Sequence, residues 1–215
     1  MNDEIIIEVN EVSKKYDDAT VLDNVSLEIE KGKIYGLVGR NGSGKTVLMK
    51  CICGLIKPTS GEVKVAGKTV GKDVDIPEDI GVIIETPGFI QNYSGFKNLK
   101  LLASVRNKIS NEEIRKNMEI VGLEPKSRKH VGKYSLGMRQ KLGIAQAIME
   151  KPKILILDEP MNGLDNESVA VVRKILKEQA ENGATIILAS HNREDIDVLC
   201  DKVYTMDHGV IECER

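Results

Sequence analysis

KIYGLVGRNGSGKTVLMKCICG, residues 33–54, decides how this chain of 215 residues folds. The stretch begins with an apolar run that is typical of a buried strand, and it ends with a helical run closed by a glycine, which suits a helix C-cap. The glycine-rich segment between the two runs therefore lies on a strand-to-helix turn. That context, together with the spacing G-x-x-x-x-G-K-T, predicts a phosphate-binding loop rather than a chance glycine turn.

The loop is expected to hold nucleotide phosphates through its backbone and its last two side chains. Its glycines let the backbone approach an anion closely, and the start of the following helix favours negative charge. Lys45 is expected to reach the β- and γ-phosphates, and the Thr46 hydroxyl is expected to bind Mg²⁺. The loop residues assigned to ATP are Gly39, Arg40, Asn41, Gly42, Ser43, Gly44, Lys45, Thr46 and Val47.

Two further motifs follow, YSLGMRQ at residues 134–140 and ILILDEP at residues 154–160. Asp158 ends what reads as a buried strand, where a carboxylate needs a compensating partner such as the Mg²⁺ that accompanies ATP. Glu159 is the base expected to polarise an attacking water. Next to a phosphate loop, this arrangement favours catalysis over a chance pair of carboxylates at a strand end.

The composition is that of a soluble globular protein with one domain: 41% of the residues are hydrophobic and 30% are charged. The net charge of -2 gives no reason to expect nucleic acid as a partner. The longest apolar runs are too short to span a membrane, and the N-terminus lacks the pattern of a signal peptide. The four cysteines are expected to be reduced thiols in a cytoplasmic protein.

Strand and helix patterns alternate in the first and last parts of the chain, whereas the middle is helical. We therefore expect an α/β fold in a single domain over residues 1–215, with a catalytic core from residues 1–85 and 151–215. A helical subdomain is inserted over residues 86–150, and the N-terminal part is rich in β-strands. Strands are predicted at residues 5–12, 21–30, 33–38, 80–85, 154–158, 184–190 and 202–207, with a short one within 57–68. Helices are predicted at residues 46–54, 97–106, 111–121, 135–150, 167–181 and 195–200, and a turn at His208 and Gly209 is expected to finish the chain.

The order of GRNGSGKT, YSLGMRQ, ILILDEP, MNGLD and a lone His191 after a strand resembles the ATP-binding subunit of an ABC transporter. The resemblance covers essentially the whole chain and implies a P-loop NTPase core of the ABC-ATPase type. It implies ATP hydrolysis with Glu159, His191 and Lys45 as catalytic residues, His191 being the switch histidine at the γ-phosphate. Tyr16 matches the aromatic that stacks on adenine, and Asp165 matches the D-loop aspartate at the dimer interface.

The same resemblance implies a signature motif that meets ATP held by the opposite subunit. Its residues here are Ser135, Leu136, Gly137 and Met138. Ser135 and Gly137 keep the groups that can hydrogen-bond a γ-phosphate at the start of a helix. Leu136 and Met138 depart from the usual LSGGQ pattern.

Glu85 stands where the family usually carries a glutamine that touches Mg²⁺ and the attacking water. A carboxylate can also bind Mg²⁺, but it adds negative charge beside the phosphates. With Thr46 and Asp158, Glu85 completes the expected metal-binding set. The chain resembles bacitracin and lantibiotic exporter subunits in this substitution, in the TPGF that follows it and in the YSLGM signature. The alternative is that Glu85 is neutral variation in an ordinary ABC subunit.

The expected partners are a second ABC ATPase subunit, identical or different, and a separate transmembrane permease. The protein would then lie on the inner face of the cell membrane and power the export of antimicrobial peptides or drugs. Phe89, Tyr93 and Phe96 form an aromatic cluster that either docks a partner or packs inside the helical subdomain. The competing interpretation of the chain is a soluble ABC ATPase that acts in macromolecular assembly or repair.

Overall fold

A computed structural model of the protein describes residues 4–213. The strands are β1 (Ile5–Tyr16), β2 (Ala19–Glu30), β3 (Ile34–Val38), β4 (Ser60–Val65), β5 (Lys68–Thr69), β6 (Ile80–Ile83), β7 (Ile154–Asp158), β8 (Thr185–Ala189), β9 (Lys202–Asp207) and β10 (Val210–Cys213). The helices are α1 (Lys45–Ile52), α2 (Gly95–Arg106), α3 (Asn111–Ile120), α4 (Leu136–Ile148), α5 (Asn166–Glu181) and α6 (Arg193–Leu199). None of these helices is long and apolar enough to cross a membrane.

The strands form two sheets, and the larger one sets the position of the functional loops. A four-stranded antiparallel sheet has the order β2-β1-β4-β5. The six-stranded sheet has the order β10-β9-β3-β8-β7-β6, and its pairs are parallel except for the edge hairpin of β9 and β10. The carboxyl ends of β3, β8, β7 and β6 therefore meet at one edge, where open α/β sheets bind their ligands.

The two faces of the six-stranded sheet bury separate apolar cores. Along β7, Ile154 and Ile156 pack with α1 and the antiparallel sheet. Leu155 and Leu157, on the opposite face, pack with the helical subdomain and α5. Because side chains alternate across a strand, the near-continuous apolar run of β7 is what a strand covered on both faces requires.

Three helices, α2, α3 and α4, lie between β6 and β7 in the chain, in the region predicted to be helical. Ser94, Ser110 and Ser135 each cap a helix by accepting a hydrogen bond from a backbone N–H in the first turn. Caps of this kind satisfy donors that the helix itself leaves unpaired, so serine fixes each helix start.

The aromatic cluster packs inside this subdomain. Phe89 is only 7% exposed and belongs to the helical core, and Phe96 is partly buried against it. The Tyr93 ring lies under the Lys97 ammonium group at 3.6 Å. The docking interpretation is therefore wrong for Phe89, which packs in the helical core, whereas docking through the partly buried Tyr93 and Phe96 stays a prediction.

Several boundaries differ from the prediction, and two differences lengthen or add a strand. β1 continues to Tyr16, past the predicted end at residue 12, because shifts in its register with β2 let the ladder run on through polar residues. The predicted turn at His208 and Gly209 exists, but a further strand, β10, follows it. Both turn residues have positive φ, 45° and 81°, as a two-residue hairpin requires.

Candidate functional site

A cleft of about 480 Å³ opens at the carboxyl edge of the six-stranded sheet. It lies between the loop after β3, the segments after β6 and β7, and the start of α4. The predicted site residues that line it are Asn41, Gly42, Ser43, Gly44, Lys45, Thr46, Val47, Glu85, Leu136, Asp158 and Glu159. The sheet order thus brings together residues as distant in the chain as Thr46 and Asp158, which lie 112 positions apart.

Two glycines hold the loop after β3 in its shape. Gly39 has φ of 148°, and a Cβ there would lie 2.1 Å from the backbone oxygen of Met206. Gly44 has φ of 109°, and a Cβ there would lie 2.7 Å from the backbone oxygen of Val21. No other residue fits either position without a shift of backbone, so these glycines let α1 begin at Lys45 with its N-terminus at the cleft.

The loop presents donors that suit phosphate oxygens. The buried ammonium group of Lys45 donates to the carbonyl oxygens of Gly39 and Arg40, at 2.6 and 3.0 Å. The hydroxyl of Ser43 is buried and meets no hydrogen-bond partner among residues 4–213. A buried hydroxyl without a partner is unfavourable, and a bound phosphate beside the helix N-terminus would satisfy it.

Thr46 and Asp158 form an oxygen pair that fits a hard divalent cation. The Thr46 hydroxyl, on the first turn of α1, donates to Asp158 Oδ2 at 2.7 Å. Hydroxyl and carboxylate oxygens are the ligands that Mg²⁺ prefers, and it usually binds through few protein groups together with nucleotide phosphates. The donor set at this end of β7 therefore fits the Mg²⁺ of an Mg–ATP complex.

Glu85 lies on the same cleft but makes a contact that the sequence did not predict. Its carboxylate oxygen Oε1 lies 2.6 Å from the ammonium nitrogen of Lys50 on α1. The Glu85 side chain is 64% exposed, and that of Lys50 is 27% exposed. The structure thus brings Glu85 to the predicted metal region while pairing it with a lysine.

Glu159 and His191 meet at the ends of β7 and β8. His191 Nδ1 lies 2.7 Å from Glu159 Oε2. Burial raises the pKa of the Glu159 carboxyl, and the neighbouring His191 partly opposes that rise. A carboxylate whose pKa is raised towards neutral is suited to accept a proton, so this pair has the properties of a general base with an orienting partner.

Three predicted ATP residues, Tyr16, Gly39 and Arg40, lie outside the lining of this cleft. Tyr16, at the end of β1, is exposed, and the Lys14 ammonium group lies 5.0 Å from its ring centre. Arg40 extends into solvent, with its guanidinium 3.8 Å from Asp207, and lines a second hollow that also includes His191. Adenine stacking by Tyr16 stays a prediction.

The signature segment and the segment of Asp165 lie side by side. A Cβ on Gly137 would lie 3.0 Å from the backbone oxygen of Gly163, and Leu136 packs against the same glycine. Asp165 caps α5 by accepting from the Ser168 N–H at 2.8 Å, and hydrogen bonds from Ser168 lower the pKa of its carboxyl. Leu136 is exposed at the cleft, whereas Met138 is partly buried.

Gln140 is a positioning residue that the sequence did not single out. Its buried side-chain amide donates to the backbone oxygens of Glu159 and Pro160, at 3.2 and 2.9 Å. Because Gln140 lies on α4 one turn after Leu136, it ties the signature helix to the backbone that carries the candidate base. The sequence offered one signal for this role of Gln140: the residue lies inside YSLGMRQ, on the buried face of α4.

Comparison with known proteins gives consistent matches. The profile of the family described as "ABC transporter" matches residues 22–162. The uncharacterized ABC transporter ATP-binding protein YybJ of Bacillus subtilis (strain 168) is 47% identical over 96% of this chain and 95% of its own length. The bacitracin transport ATP-binding protein BcrA of Enterococcus faecalis is 43% identical over 96% of this chain and 68% of its own length. A solved structure of an ATP-binding subunit of an ABC transporter, 27% identical, superposes with a TM-score of 0.86 over 97% of this chain and 90% of that one.

Proposed function

The chain belongs to the ABC transporter ATP-binding family and is an ATPase subunit of that family, and on this premise we propose that its cleft binds Mg–ATP to power peptide-antibiotic export through a separate permease. The observation that carries the proposal is the meeting, in one cleft, of the phosphate loop, the Thr46–Asp158 pair and Glu159. A binding module without catalysis would not need a partly buried carboxylate held by a histidine at 2.7 Å beside the phosphate loop.

The proposal gives each of these residues a role. Lys45 exchanges its carbonyl partners for the β- and γ-phosphates, and the loop from Gly39 to Val47 encloses them. Thr46 and Asp158 hold Mg²⁺, with Glu85 as a further oxygen ligand. When bound, Mg²⁺ neutralises charge on the transferred phosphoryl group. Glu159 accepts a proton from the attacking water, and His191 orients Glu159 and contacts the γ-phosphate.

Two copies of the cleft would be completed across a dimer. The start of α4 carries the signature residues Ser135, Leu136, Gly137 and Met138, and a helix start favours a γ-phosphate. Asp165, at the start of the adjacent α5, would lie at the same interface. The partner subunit is a second ABC ATPase chain, identical or different.

The proposed cargo rests on the relative BcrA, which is described as a bacitracin transport protein. Bacitracin is a peptide antibiotic, and the identity of 43% extends over 96% of this chain. Export needs a membrane-spanning partner. The α2 face with Leu101, Leu102 and Val105 exposed is a surface suited to dock one. In this proposal the protein works in the cytoplasm, on the inner face of the cell membrane.

The test uses tagged Glu159→Gln protein expressed in its native cell, with the membranes solubilised mildly in ATP. The substitution leaves the phosphate loop intact but removes the proposed base, so the closed complex should persist. We expect mass spectrometry to find a multi-span membrane protein in stoichiometric amount, and any second ATPase chain would reveal a heterodimer. Recovery with soluble proteins alone would contradict the exporter proposal and support an ATPase of macromolecular assembly. Unmodified protein purified in ADP is the matched control.

A further inference from the structure

Lys50 and Glu85 form an ion pair on the wall of the cleft. The two residues lie 35 positions apart, and their charged atoms lie 2.6 Å apart. Glu85 follows β6 with φ of 58°, a left-handed conformation that is uncommon for a residue with a side chain. The backbone therefore turns at Glu85 and brings its carboxylate to α1.

The position of Lys50 on α1 explains why the pair bears on the metal region. Lys50 follows Thr46 by four residues, so the two side chains lie on the same face of the helix, one turn apart. Thr46 in turn contacts Asp158. Lys50 thus stands one turn behind the hydroxyl proposed to hold Mg²⁺, on the side from which Glu85 approaches.

The carboxylates around the cleft favour such a counter-ion beside Glu85, in addition to Lys45 and Arg139 on the same lining. Three carboxylates, those of Glu85, Asp158 and Glu159, line the site that must accept a polyphosphate. Asp158 has Thr46 as its partner, and Glu159 has His191. Glu85 has Lys50. Without that partner, an unpaired carboxylate would repel the incoming phosphates, most strongly when no Mg²⁺ accompanies them.

We infer that Lys50 is a positioning residue that holds the Glu85 carboxylate and competes with Mg²⁺ for it. The inference rests on the proposed function, since it concerns how the same cleft accepts its nucleotide. While Lys50 holds Glu85, the cleft carries less effective negative charge and binds nucleotide with a smaller requirement for Mg²⁺. When Mg²⁺ is present, the carboxylate would leave Lys50 in part of the molecules and turn towards Thr46 and Asp158.

The test is a double-mutant cycle on nucleotide affinity rather than on turnover. Binding of a non-hydrolysable ATP analogue is measured by calorimetry in EDTA and in saturating Mg²⁺. The quantity compared among variants is the dissociation constant in EDTA divided by that in Mg²⁺. Lys50→Met should raise this ratio about threefold, since a partly exposed pair is worth up to about 1 kcal/mol, which corresponds to about fivefold. In a Glu85→Gln background, Lys50→Met should leave the ratio nearly unchanged, because the carboxylate it restrained is gone.

Matched controls separate the pair from general changes of charge. Lys174→Met and Glu178→Gln alter an exposed pair on α5 whose charged atoms lie 3.7 Å apart, and the ratio should not change. Lys50→Arg keeps the charge and should restore the wild-type ratio, and thermal melts show which variants are folded. Should Lys50→Met prove unfolded, Lys50→Gln takes its place in the cycle.

The outcomes distinguish this inference from the proposed function. An equal effect of Lys50→Met in the wild-type and Glu85→Gln backgrounds would mean that Lys50 acts only as a general positive charge, and it would overturn the inference alone. Unchanged affinity in every Lys50 variant would do the same. Failure of the unaltered protein to bind the analogue in Mg²⁺ would overturn the proposed function and this inference together.

Discussion

At the scale of single residues, the protonation state of the Glu159 carboxyl should decide whether the cleft can hydrolyse ATP. Burial raises its pKa, and His191, 2.7 Å away, lowers it again. A general base works only when it is deprotonated, so activity should fall as the pH drops through the pKa of Glu159. Because that pKa is raised, the acidic limb of the pH profile should lie above the range of an ordinary glutamate.

His191→Ala should move this acidic limb to higher pH. Without the imidazole, the pKa of Glu159 loses an interaction that lowers it, so protonation of the base begins at a higher pH. The measurement is the pH dependence of ATP hydrolysis, and the informative quantity is the midpoint of the limb, since removing His191 also lowers the maximum rate. His130→Ala, at an exposed histidine in the helical subdomain, should leave the midpoint in place. A limb that stays at the wild-type pH in His191→Ala would show that the histidine does not tune Glu159.

At the scale of elements, a buried network joins α5 to the segment that carries His191. The Arg173 guanidinium on α5 contacts Asp195 Oδ1 through two nitrogens, at 2.9 and 2.6 Å, and Glu194 at 2.9 Å. Asp195, which is almost fully buried, also accepts from the Ser190 hydroxyl at 3.1 Å. Ser190 directly precedes His191, and α5 begins at the Asp165 cap. The network therefore holds the end of β8 in place relative to α5, whose first residues are proposed to lie at the dimer interface.

Arg173→Met should destabilise the protein and slow hydrolysis. Removing one partner of a buried ion pair leaves the other charge uncompensated, which costs about 3 kcal/mol or more. For a chain of this size, such a loss lowers the melting temperature by roughly 6–12 °C. The test is thermal unfolding together with steady-state kinetics at a temperature where the variant is folded, and a fall in kcat with little change in KM is expected because His191 is displaced. Lys174→Met, at the next residue on the exposed face of α5, should change neither. Equal melting temperatures for the two variants would contradict this account.

The sequence predicted most elements because their local patterns agree with the fold. The glycine loop, the apolar run of β7 and the serine caps of α3 and α4 each specify a structure within a few residues. β10 was missed because four residues, Val210 to Cys213, on the sheet edge show no periodicity that separates them from a loop. The Lys50–Glu85 and Arg173–Asp195 pairs could not be predicted, because each joins residues that only the tertiary structure brings together.

At the scale of the whole molecule, the cleft and the α2 surface are connected by a short, pinned segment. Residues 86–94 run from Glu85 to the start of α2. The buried Asn98 side chain on α2 accepts from the Ile90 N–H at 2.8 Å and donates to the Ile90 carbonyl at 3.2 Å. A partner seated on α2 would therefore act on the segment that follows Glu85, and this gives a physical route between the proposed membrane subunit and the nucleotide cleft.

The apolar face of α2 should be required for the membrane partner and not for the nucleotide. Val105 is 81% exposed, and Leu101 lies one turn before it on the same face, so both expose apolar surface that docking would bury. We expect Leu101→Ser with Val105→Ser, in the Glu159→Gln background, to abolish co-purification of the membrane protein while affinity for Mg–ATP stays at the level of the parent. Val171→Ser with Val198→Ser, which removes exposed valines from α5 and α6, should retain the partner. If the α2 variant still co-purifies with the membrane protein, the docking surface lies elsewhere. If both variants lose the membrane protein, the cause is general destabilisation, which thermal melts of the two proteins would reveal.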